Sequence, residues 1–377
     1  MKLGVIGLGS RMTHMLNNAI RPHAKDLRVV GLIEPDEARA REALADEEKR
    51  TAVFYKTVDA LMSKSKPDAI VIGTRCDMHA RYACEAAATG LPIFLEKPVA
   101  TTMSQALELE SAFEKSASEV VVSFPLRASG MFGEVLDLTR SAGFGRPEHI
   151  LGVNYVPYGN VYFDSWYRDY RTTQGLFLQK ATHDFDYLAA LAGAPIVRVA
   201  SMISQGRVFR DRSAQATDSP KESEGVAYYE GVGTPETGMN EDSSSALLEF
   251  ANGVKGVYTQ VFFIKRDAAA RGATLSNYKG TVTFDWYQNT IRHVPHFEGE
   301  TKQWSVAETG GHFGGDAVLG KNFVEVVRGE AESISTINHG LSSVFACLAA
   351  KDSAETRQFI NVHQCAVGAP KEVAVHG

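Results

Sequence analysis

The sequence of 377 residues predicts an α/β protein whose residues 1–124 form a doubly wound domain on a parallel sheet. Two observations lead to this fold class. Short, continuously apolar runs alternate with amphipathic helical patterns, as expected where helices cover both faces of a parallel sheet. A chain of this length also exceeds what one hydrophobic core usually serves. We therefore expect residues 125–377 to form a second domain.

Five apolar runs of strand length make up the predicted parallel sheet. They are residues 3–8, 27–33, 68–74, 93–95 and 119–124. Between the first two runs, apolar residues recur at helical spacing, at Met12, Met15, Leu16, Ala19 and Ile20. Ligands of such sheets bind beyond the carboxyl ends of the strands, so a functional site is expected there.

The turn after the first run reads GLGSRM. Gly7 and Gly9 allow a tight turn and a close approach of the backbone to a pyrophosphate. The helix that begins with Ser10 and Arg11 would hold that group at its N-terminus. Met12 stands where a third glycine is usual, so the helix is expected to stand slightly off the strand. A GxG pair alone is equally compatible with a plain turn, but a turn between strand and helix favours a cofactor loop.

Glu34 ends the second run, where a carboxylate can accept hydrogen bonds from an adenine ribose and repel a 2′-phosphate. This favours NAD over NADP, although a polar strand exit is the alternative interpretation. Thr74 and His79 follow the third run. We expect the His79 ring near the nicotinamide end of the cofactor, unless it is only a surface residue.

The fourth run, PIFL, leads directly into Glu96 and Lys97, and both residues are expected at the cofactor site. Strand alternation points these two side chains to opposite faces, so they are not simply an ion pair with each other. At the end of a central strand, the Lys97 ammonium can stabilise a developing alkoxide. A lysine that reaches solvent from a strand end is the alternative.

The composition excludes several classes of protein. A net charge of -6 without any basic block argues against a nucleic-acid partner. No run approaches the roughly 20 apolar residues of a membrane span, and no signal peptide is recognisable, so a cytoplasmic protein is expected. The four cysteines show no CxxC pairing, which predicts neither a disulfide framework nor a metal site.

The segments GVIGLGSRM, GTRCDMHA and EKPVA, in this order, resemble the Gfo/Idh/MocA family, the glucose-fructose oxidoreductase and inositol dehydrogenase group. The resemblance implies a Rossmann domain followed by an α+β domain with a large, mostly antiparallel, open sheet. It implies a nicotinamide cofactor used on sugars and cyclitols. Gly7, Gly9 and Glu34 match the family's cofactor site and Lys97 its catalytic lysine. Arg127, in SFPLRASG, matches an arginine at the exit from the Rossmann domain and is expected to contact the cofactor.

The second half of the chain contains further strand patterns. They cover residues 148–156, 197–204, 245–250, 254–263 and 280–284, with ANG as a hairpin turn. Residues 205–241 are polar and weakly patterned, and they predict a long excursion from the sheet. A large sheet with helices on one side leaves its other face uncovered, so a homodimer or homotetramer is expected.

The segment GLFLQKATHDFDYLAALAG carries the second predicted catalytic residue, because the resemblance implies that His183 is the family's catalytic histidine. A neutral imidazole can take a hydroxyl proton while hydride leaves the same carbon. His183 as a mere first-turn residue of a helix is the alternative. Relatives of the inositol dehydrogenase type carry an aspartate four residues earlier, where this chain has Gln179, which cannot accept a proton. Gln179 is expected at most to orient substrate, and Lys180 to contact substrate or solvent.

An aromatic segment, NYVPYGNVYFDSWYRDYR, suggests contacts to a sugar, since aromatic faces stack on C–H groups. Tyr155 and Trp166 are the predicted contacts, and Arg168 could bind a carboxylate. A core or a subunit interface explains such aromatics equally well. His312, in GGHFGGD, resembles a residue near the family's pocket but could belong to a simple turn.

The predicted function is that of an NAD-dependent dehydrogenase acting on a secondary alcohol of a sugar, sugar derivative or cyclitol. Lys97 would polarise the alcohol and His183 would act as acid and base. Two other functions compete with this one. The first is a glycoside-cleaving enzyme that oxidises its substrate transiently, for which Gln179 leaves room. The second is a non-catalytic sugar sensor, which would not need Lys97 and His183 together.

Overall fold

The computed structural model describes residues 1–209, 238–307 and 310–368. Its first sheet has six parallel strands in the order β3-β2-β1-β4-β5-β6, which confirms the doubly wound prediction. The order reverses between β1 and β4, the point at which such sheets bind ligands. The strands are β1 (Lys2–Ile6), β2 (Arg28–Ile33), β3 (Val53–Phe54), β4 (Ala69–Ile72), β5 (Ile93–Leu95) and β6 (Val120–Val122).

Helices cover both faces of this sheet, and alternate strand residues enter two separate cores, as Ile72 and Val71 of β4 do. Met12 lies in the first helix, and its side chain fits against the sheet because the residue opposite it is Gly73. A Cβ atom at Gly73 would lie 2.8 Å from the Cβ of Met12. The helices are α1 (Ser10–His14), continued by the π-helical turn Met15–Ile20, α2 (Glu37–Ala43), α3 (Asp46–Thr51), α4 (Val58–Ser65), α5 (His79–Ala87) and α6 (Met103–Phe113).

The second sheet has nine strands in the order β14-β13-β12-β11-β7-β10-β9-β8-β15. Only β7 and β10 pair in parallel, so the sheet is mostly antiparallel, as predicted. The predicted ANG turn joins β9 to β10, with Gly253 at φ +90°. The strands are β7 (His149–Tyr155), β8 (Ile196–Ser204), β9 (Ser243–Phe250), β10 (Lys255–Val261), β11 (Ala270–Ser276), β12 (Gly280–Asp285), β13 (Thr290–Pro295), β14 (Lys302–Trp304) and β15 (Ile360–Asn361).

The helices of the second half pack on one face of the second sheet and also return to the first domain. Phe323 of α10 meets Phe94 of β5 with ring centroids 5.5 Å apart. The division at residue 124 therefore separates the two sheets, while α10 belongs spatially to both halves. These helices are α7 (Gly130–Arg140), α8 (Tyr170–Thr173), the π-helical turn Phe177–Ala181 that leads into α9 (Thr182–Ala192), α10 (Gly315–Arg328) and α11 (Ile337–Thr356).

The two ends of the predicted excursion, residues 205–241, are firmly anchored, and its centre lies outside the described residues. The carboxylate of Asp242 is fully buried and accepts backbone N–H groups from Arg207, Val208 and Phe209. Glu241 accepts the backbone N–H of Leu176. In the described part of the chain, no helix is both long and apolar enough to cross a bilayer.

Candidate active site

The glycine-rich turn between β1 and α1 has the geometry that a pyrophosphate site requires. Gly7 has φ +79°, and a Cβ atom there would lie 2.6 Å from the backbone nitrogen of Thr74, so only glycine fits. Around Gly9 the space is open, since a Cβ atom there would meet nothing within 4 Å. α1 begins directly at this space, and the backbone N–H groups of a first helical turn have no partner within the helix. These residues fit a dinucleotide.

Glu34 lies beside this turn at the end of β2. Its carboxylate accepts the backbone N–H groups of Leu8 at 2.8 Å and Asp36 at 3.1 Å. Arg39, five residues further on, forms an ion pair with Glu34 at 3.3 Å and donates to the carbonyl oxygen of Leu8. No local pattern indicated this arginine beside Glu34, because it reaches back from α2.

Arg11 and Glu96, both expected at the cofactor site, bind each other and a residue of the second domain. The Arg11 guanidinium turns inward and binds Asp316 of α10 through two nitrogens, each at 2.7 Å, and Glu96 at 3.1 Å. Burial alone would raise the pKa of the Asp316 carboxyl, but hydrogen bonds from Arg11 and His312 hold that pKa well below its usual range. The cluster joins the cofactor turn, the end of β5 and the start of α10, so these residues position the site.

His79 likewise supports the site rather than facing its open space. The ring is buried, with Nδ1 at 2.8 Å from the carbonyl oxygen of Pro98 and Nε2 at 3.1 Å from that of Thr74. Burial lowers its pKa. The side chain connects the loops that follow β4 and β5, which corrects the expectation of a direct contact with the nicotinamide.

Lys97 projects from the end of β5 toward the second domain, where its Nζ donates to the carbonyl oxygen of Gln179 at 2.7 Å. In the described ranges the ammonium has no carboxylate partner. Burial, and then the charge of Lys180, lower the pKa of Lys97 to about 8. A donor of this kind is held in place by a neutral acceptor and keeps its charge available for a ligand.

The side chain of Gln179 is not free to orient substrate. It is buried, its Nε2 donates to the carbonyl oxygen of Thr173 at 2.8 Å, and its Oε1 accepts from the Cys76 thiol at 3.2 Å. This corrects the substrate-contact expectation. The residue acts on the site through its main-chain carbonyl, which fixes Lys97.

His183 lies one helical turn after Gln179, on the same face, and so close to Lys97. Burial, and then the charge of Lys97, lower the pKa of His183 well below its ordinary value, so the imidazole is neutral. Its Nδ1 is buried and has no hydrogen-bond partner among the described residues. The ring centroids of His183 and His312 are 6.2 Å apart, which brings His312 into the same site.

Arg127 is occupied elsewhere, contrary to the expected cofactor contact. Its guanidinium binds Asp186 of α9 at 2.8 and 3.1 Å and the carbonyl oxygen of Ile334 at 3.1 Å. The pair holds α9 against the segment that leaves the first domain. It therefore fixes the position of the helix that carries His183.

A buried ionic cluster lies beneath α9, and no pattern in the sequence predicted it. Asp184 is fully buried and accepts from Arg271 of β11 at 2.8 and 3.0 Å. Its other oxygen accepts from Asn154 of β7 and Tyr258 of β10, each at 2.7 Å. Because His183 precedes Asp184 directly, the cluster fastens the histidine to three strands of the second sheet.

The residues of the aromatic segment lie in different places, and only some of them approach the site. Tyr155 alternates with Asn154, so it lies on the face opposite α9 and cannot contact a substrate beside His183, which corrects that prediction. Trp166 lies against the end of β4, with the Arg75 guanidinium 4.2 Å from its ring. Arg168 is exposed.

Tyr158 and Lys180 form a pair within the site that the sequence did not indicate. The Lys180 ammonium donates to the Tyr158 hydroxyl at 2.7 Å and lies 5.8 Å from the ring centroid of Tyr162. Lys180 is 5% exposed, whereas Tyr158 is 46% exposed. No group of three or more His, Cys, Asp or Glu side chains suited to a metal occurs within the described ranges.

The fold and this site define an oxidoreductase with a dinucleotide-binding domain, and comparisons with known proteins agree. The family model described as "Oxidoreductase family, NAD-binding Rossmann fold" matches residues 1–124, and the model of the GFO/IDH/MocA C-terminal domain matches residues 126–282. The chain belongs to the Gfo/Idh/MocA family. Its first domain is an NAD-binding domain, and NAD is the cofactor.

Individual relatives share a low sequence identity with this chain. An inositol 2-dehydrogenase of Corynebacterium glutamicum is 26% identical over 203 residues, which cover 53% of this chain and 56% of that protein. A 1-carboxy-3-chloro-3,4-dihydroxycyclohexa-1,5-diene dehydrogenase of Comamonas testosteroni is 23% identical, over 67% of this chain and 56% of that protein. The chain thus spans about half the length of these curated relatives.

Two solved structures share the fold. A levoglucosan dehydrogenase in complex with NADH and levoglucosan has a TM-score of 0.78 at 15% identity, covering 97% of this chain and 100% of its own. The WlbA dehydrogenase of Bordetella pertussis, with NADH and UDP-GlcNAcA, has a TM-score of 0.73 at 20% identity, covering 96% of this chain and 98% of its own.

Proposed function

We propose that the protein oxidises a secondary alcohol of a sugar, sugar derivative or cyclitol with NAD. One observation carries the proposal. The Lys97 ammonium is held by a neutral carbonyl at the end of β5, beside a neutral His183, where no carboxylate among the described residues neutralises it. The inositol and levoglucosan dehydrogenases to which the chain is similar support a polyhydroxylated substrate.

The residues act on the alcohol in distinct ways. NAD, when bound, supplies a hydride acceptor. Lys97 donates a hydrogen bond to the alcohol oxygen, lowers the pKa of the hydroxyl and stabilises negative charge that develops on it. The neutral His183 accepts a hydrogen bond from the same hydroxyl, and it either takes the proton or holds the alcohol in position. Gln179 and Asp184 keep these two groups in place through the contacts described above.

A panel of sugars, sugar acids and cyclitols tests this function by the absorbance of NADH at 340 nm. Steady NADH formation with a free alcohol is the expected result. Cleavage of a glycoside without net NADH would instead support transient oxidation. The observation that favours this second function is Gln179, which stands where relatives of the inositol dehydrogenase type carry an aspartate and whose side chain is bonded elsewhere. Tight sugar binding with neither product would indicate a sensor and overturn the proposal.

Cofactor preference is expected to follow Glu34. With its carboxylate against the 2′-position, kcat/KM with NAD should exceed that with NADP by at least about tenfold, roughly 1.4 kcal/mol. Glu34→Ala leaves Arg39 at the same position, and the released guanidinium should attract a 2′-phosphate. We therefore expect the variant to use NADP better than the wild type does.

The matched control is Glu37→Ala, which removes an exposed carboxylate from the first turn of α2. It should keep the wild-type preference. Equal use of NAD and NADP by the wild type, or an unchanged preference in Glu34→Ala, would remove Glu34 from the ribose site.

Self-association is expected through the face of the second sheet opposite α9. Adjacent residues in register form an apolar row across this face, namely Leu151, Val257, Leu247 and Ala200. Leu151 is 40%, Leu247 50% and the neighbouring Met202 75% exposed. A homodimer or homotetramer at micromolar concentration is the expected result of sedimentation, and Leu247→Glu should shift it toward monomer because a charge would be buried in the contact.

Val53→Glu serves as the control, since Val53 is 48% exposed on an edge strand of the first sheet. It should leave the assembly intact. A wild-type protein that sediments only as a monomer would contradict this prediction, and so would an assembly that Leu247→Glu does not weaken.

A further inference from the structure

Two ammonium groups, that of the half-buried Lys97 and that of the buried Lys180, face the candidate site from opposite domains, and only Lys97 has an assigned task. Lys97 comes from β5, and Lys180 follows the residue whose carbonyl oxygen holds Lys97. The charge of Lys180 contributes to lowering the pKa values of Lys97, His183 and His312, which locates its ammonium near all three. Lys180 itself has no carboxylate partner in the part of the chain that the structure describes.

The Lys180 ammonium donates a hydrogen bond to the hydroxyl of Tyr158 at 2.7 Å. The ring of Tyr158 lies with its centroid 4.8 Å from the same nitrogen. Desolvation makes a buried cation costly unless a negative partner compensates it. A phenolate at Tyr158 supplies such a partner, so the pair favours the ionised form of this tyrosine.

Contacts on both sides of Tyr158 hold the turn in which it lies. A Cβ atom at Gly159 would lie 1.8 Å from the carbonyl oxygen of Phe262, so this turn packs directly on the end of β10. Lys265 donates to the carbonyl oxygen of Pro157 at 3.1 Å and to the side chain of Asn160 at 2.9 Å. These contacts fix the turn on both sides of Tyr158, while the tyrosine itself remains 46% exposed.

His183, by contrast, is poorly equipped as a base. Gln179 replaces the acid that the resemblance leads one to expect, and its side chain is engaged elsewhere. The buried Nδ1 of His183 has no acceptor among the described residues to stabilise an imidazolium. The surrounding cations, Lys97 and Arg271 foremost, oppose a further positive charge on the ring.

We propose that Tyr158, paired with Lys180, is the group that accepts the proton of the alcohol, and that His183 orients this alcohol. The inference rests on the proposed function. The O–H bond of the substrate breaks and its proton goes to the phenolate oxygen. The electron pair left on the substrate oxygen forms the carbonyl bond, while the C–H bond transfers its electron pair as hydride to NAD, which is the oxidant. The exposed edge of Tyr158 then returns the proton to solvent.

The electrostatic surroundings of Tyr158 agree with this role. Burial alone would raise the pKa of its hydroxyl, but Lys180 and, after it, Arg271 outweigh burial and lower the pKa to about 7. The other titratable groups that face it are Tyr162 and Tyr287, whose own pKa values burial raises, so both stay neutral. Activity should therefore rise with pH through about 7, as the phenolate forms, and fall above about 8, as Lys97 loses its proton.

The first test needs no substrate. The tyrosinate absorbance at 295 nm is titrated for the wild type and for Tyr158→Phe, with Tyr278→Phe, which removes an 81% exposed tyrosine of the second sheet, as the control. The wild type should show about one extra tyrosinate that forms near pH 7 and is absent only from Tyr158→Phe. In Lys180→Met this titration should move to higher pH, and Lys180→Arg should retain most of it. If Tyr158→Phe kept the full tyrosinate absorbance of the wild type near neutral pH, the proposal would be overturned.

The second test uses the best substrate of the panel. Tyr158→Phe should lower kcat by about 10² to 10⁴, the range for removal of a general base, and abolish the rise near pH 7. Lys180→Met should lose activity at pH 7 and regain part of it at higher pH, which a merely structural role would not produce. His183→Ala should keep the rise near pH 7.

A Tyr158→Phe variant with wild-type kcat and pH profile would overturn the role of Tyr158 while leaving the proposed function intact. A wild type that oxidises no alcohol would overturn the proposed function and the proton-transfer step with it. The absorbance titration would still decide whether the Tyr158 and Lys180 pair is ionised.

Discussion

Lys97→Met is expected to lower kcat by at least about 100-fold while leaving NAD binding nearly unchanged. The reason is that one preorganised donor to a developing alkoxide is lost, and removing such a donor typically costs this much. Methionine keeps most of the volume of the lysine and leaves the carbonyl oxygen of Gln179 without its 2.7 Å partner. Steady-state kinetics on the best substrate measure the effect, and cofactor fluorescence measures NAD binding separately.

The matched control is Lys64→Met, since Lys64 is an exposed lysine in the last turn of α4, which leads into the start of β4 and not into its carboxyl end. It should retain wild-type kcat. If Lys97→Met also retained it, Lys97 would be a solvated strand end without a catalytic role. A large rise in the dissociation constant for NAD would instead make Lys97 a cofactor ligand.

Asp184→Asn is expected to destabilise the protein by about 3 to 5 kcal/mol. The substitution leaves the Arg271 guanidinium, whose side chain is 2% exposed, without its counter-charge in the interior. It also weakens the hydrogen bonds to Asn154 and Tyr258 that join α9 to β7 and β10. Denaturant unfolding measures the loss in the free energy of unfolding.

Glu85→Gln provides the comparison, because Glu85 pairs with Arg81 on an exposed helix face and such pairs contribute about 0 to 1 kcal/mol. In the double variant Asp184→Asn with Arg271→Met, removal of the unpaired cation should recover part of the stability. An Asp184→Asn protein as stable as Glu85→Gln would contradict the view that this cluster holds the histidine helix.

Local patterns in the sequence predicted much of the fold. Apolar runs predicted the buried strands β1, β2, β4, β5 and β6, because a strand covered on both faces must be apolar throughout. The strands β3, β11, β13, β14 and β15 were not among the predicted ones, since a strand of two to seven residues with several polar side chains offers no clear alternation.

The candidate site was predictable only where a residue's position follows from the chain next to it. Gly7 and Gly9 belong to a turn between a strand and a helix, and Lys97 to a strand end, so local patterns sufficed. Arg11 illustrates the limit. Its partner Asp316 lies 305 residues away, so no local pattern distinguishes an arginine that binds cofactor from one that ties two domains together.

The same limit explains the other corrections. Arg127 meets Asp186 across 59 residues, and Asp184 meets Arg271 across 87. Tyr155 was predicted as a sugar contact, with a core or interface position as the equal alternative, because alternation gives two sets of side chains but not the set that faces α9. The contact between Tyr158 and Lys180 depends on how the turn after β7 packs against the π-helical turn before α9, which neither segment shows alone.

The proposed function depends most directly on hydride transfer from a secondary alcohol. The decisive measurement is a single turnover with the best substrate of the panel, deuterated at the carbinol carbon, followed by mass analysis of the cofactor. We expect one deuterium in the reduced nicotinamide and one equivalent of ketone for each NAD consumed. Deuterium that appears in water, or product formed without reduced cofactor, would contradict it.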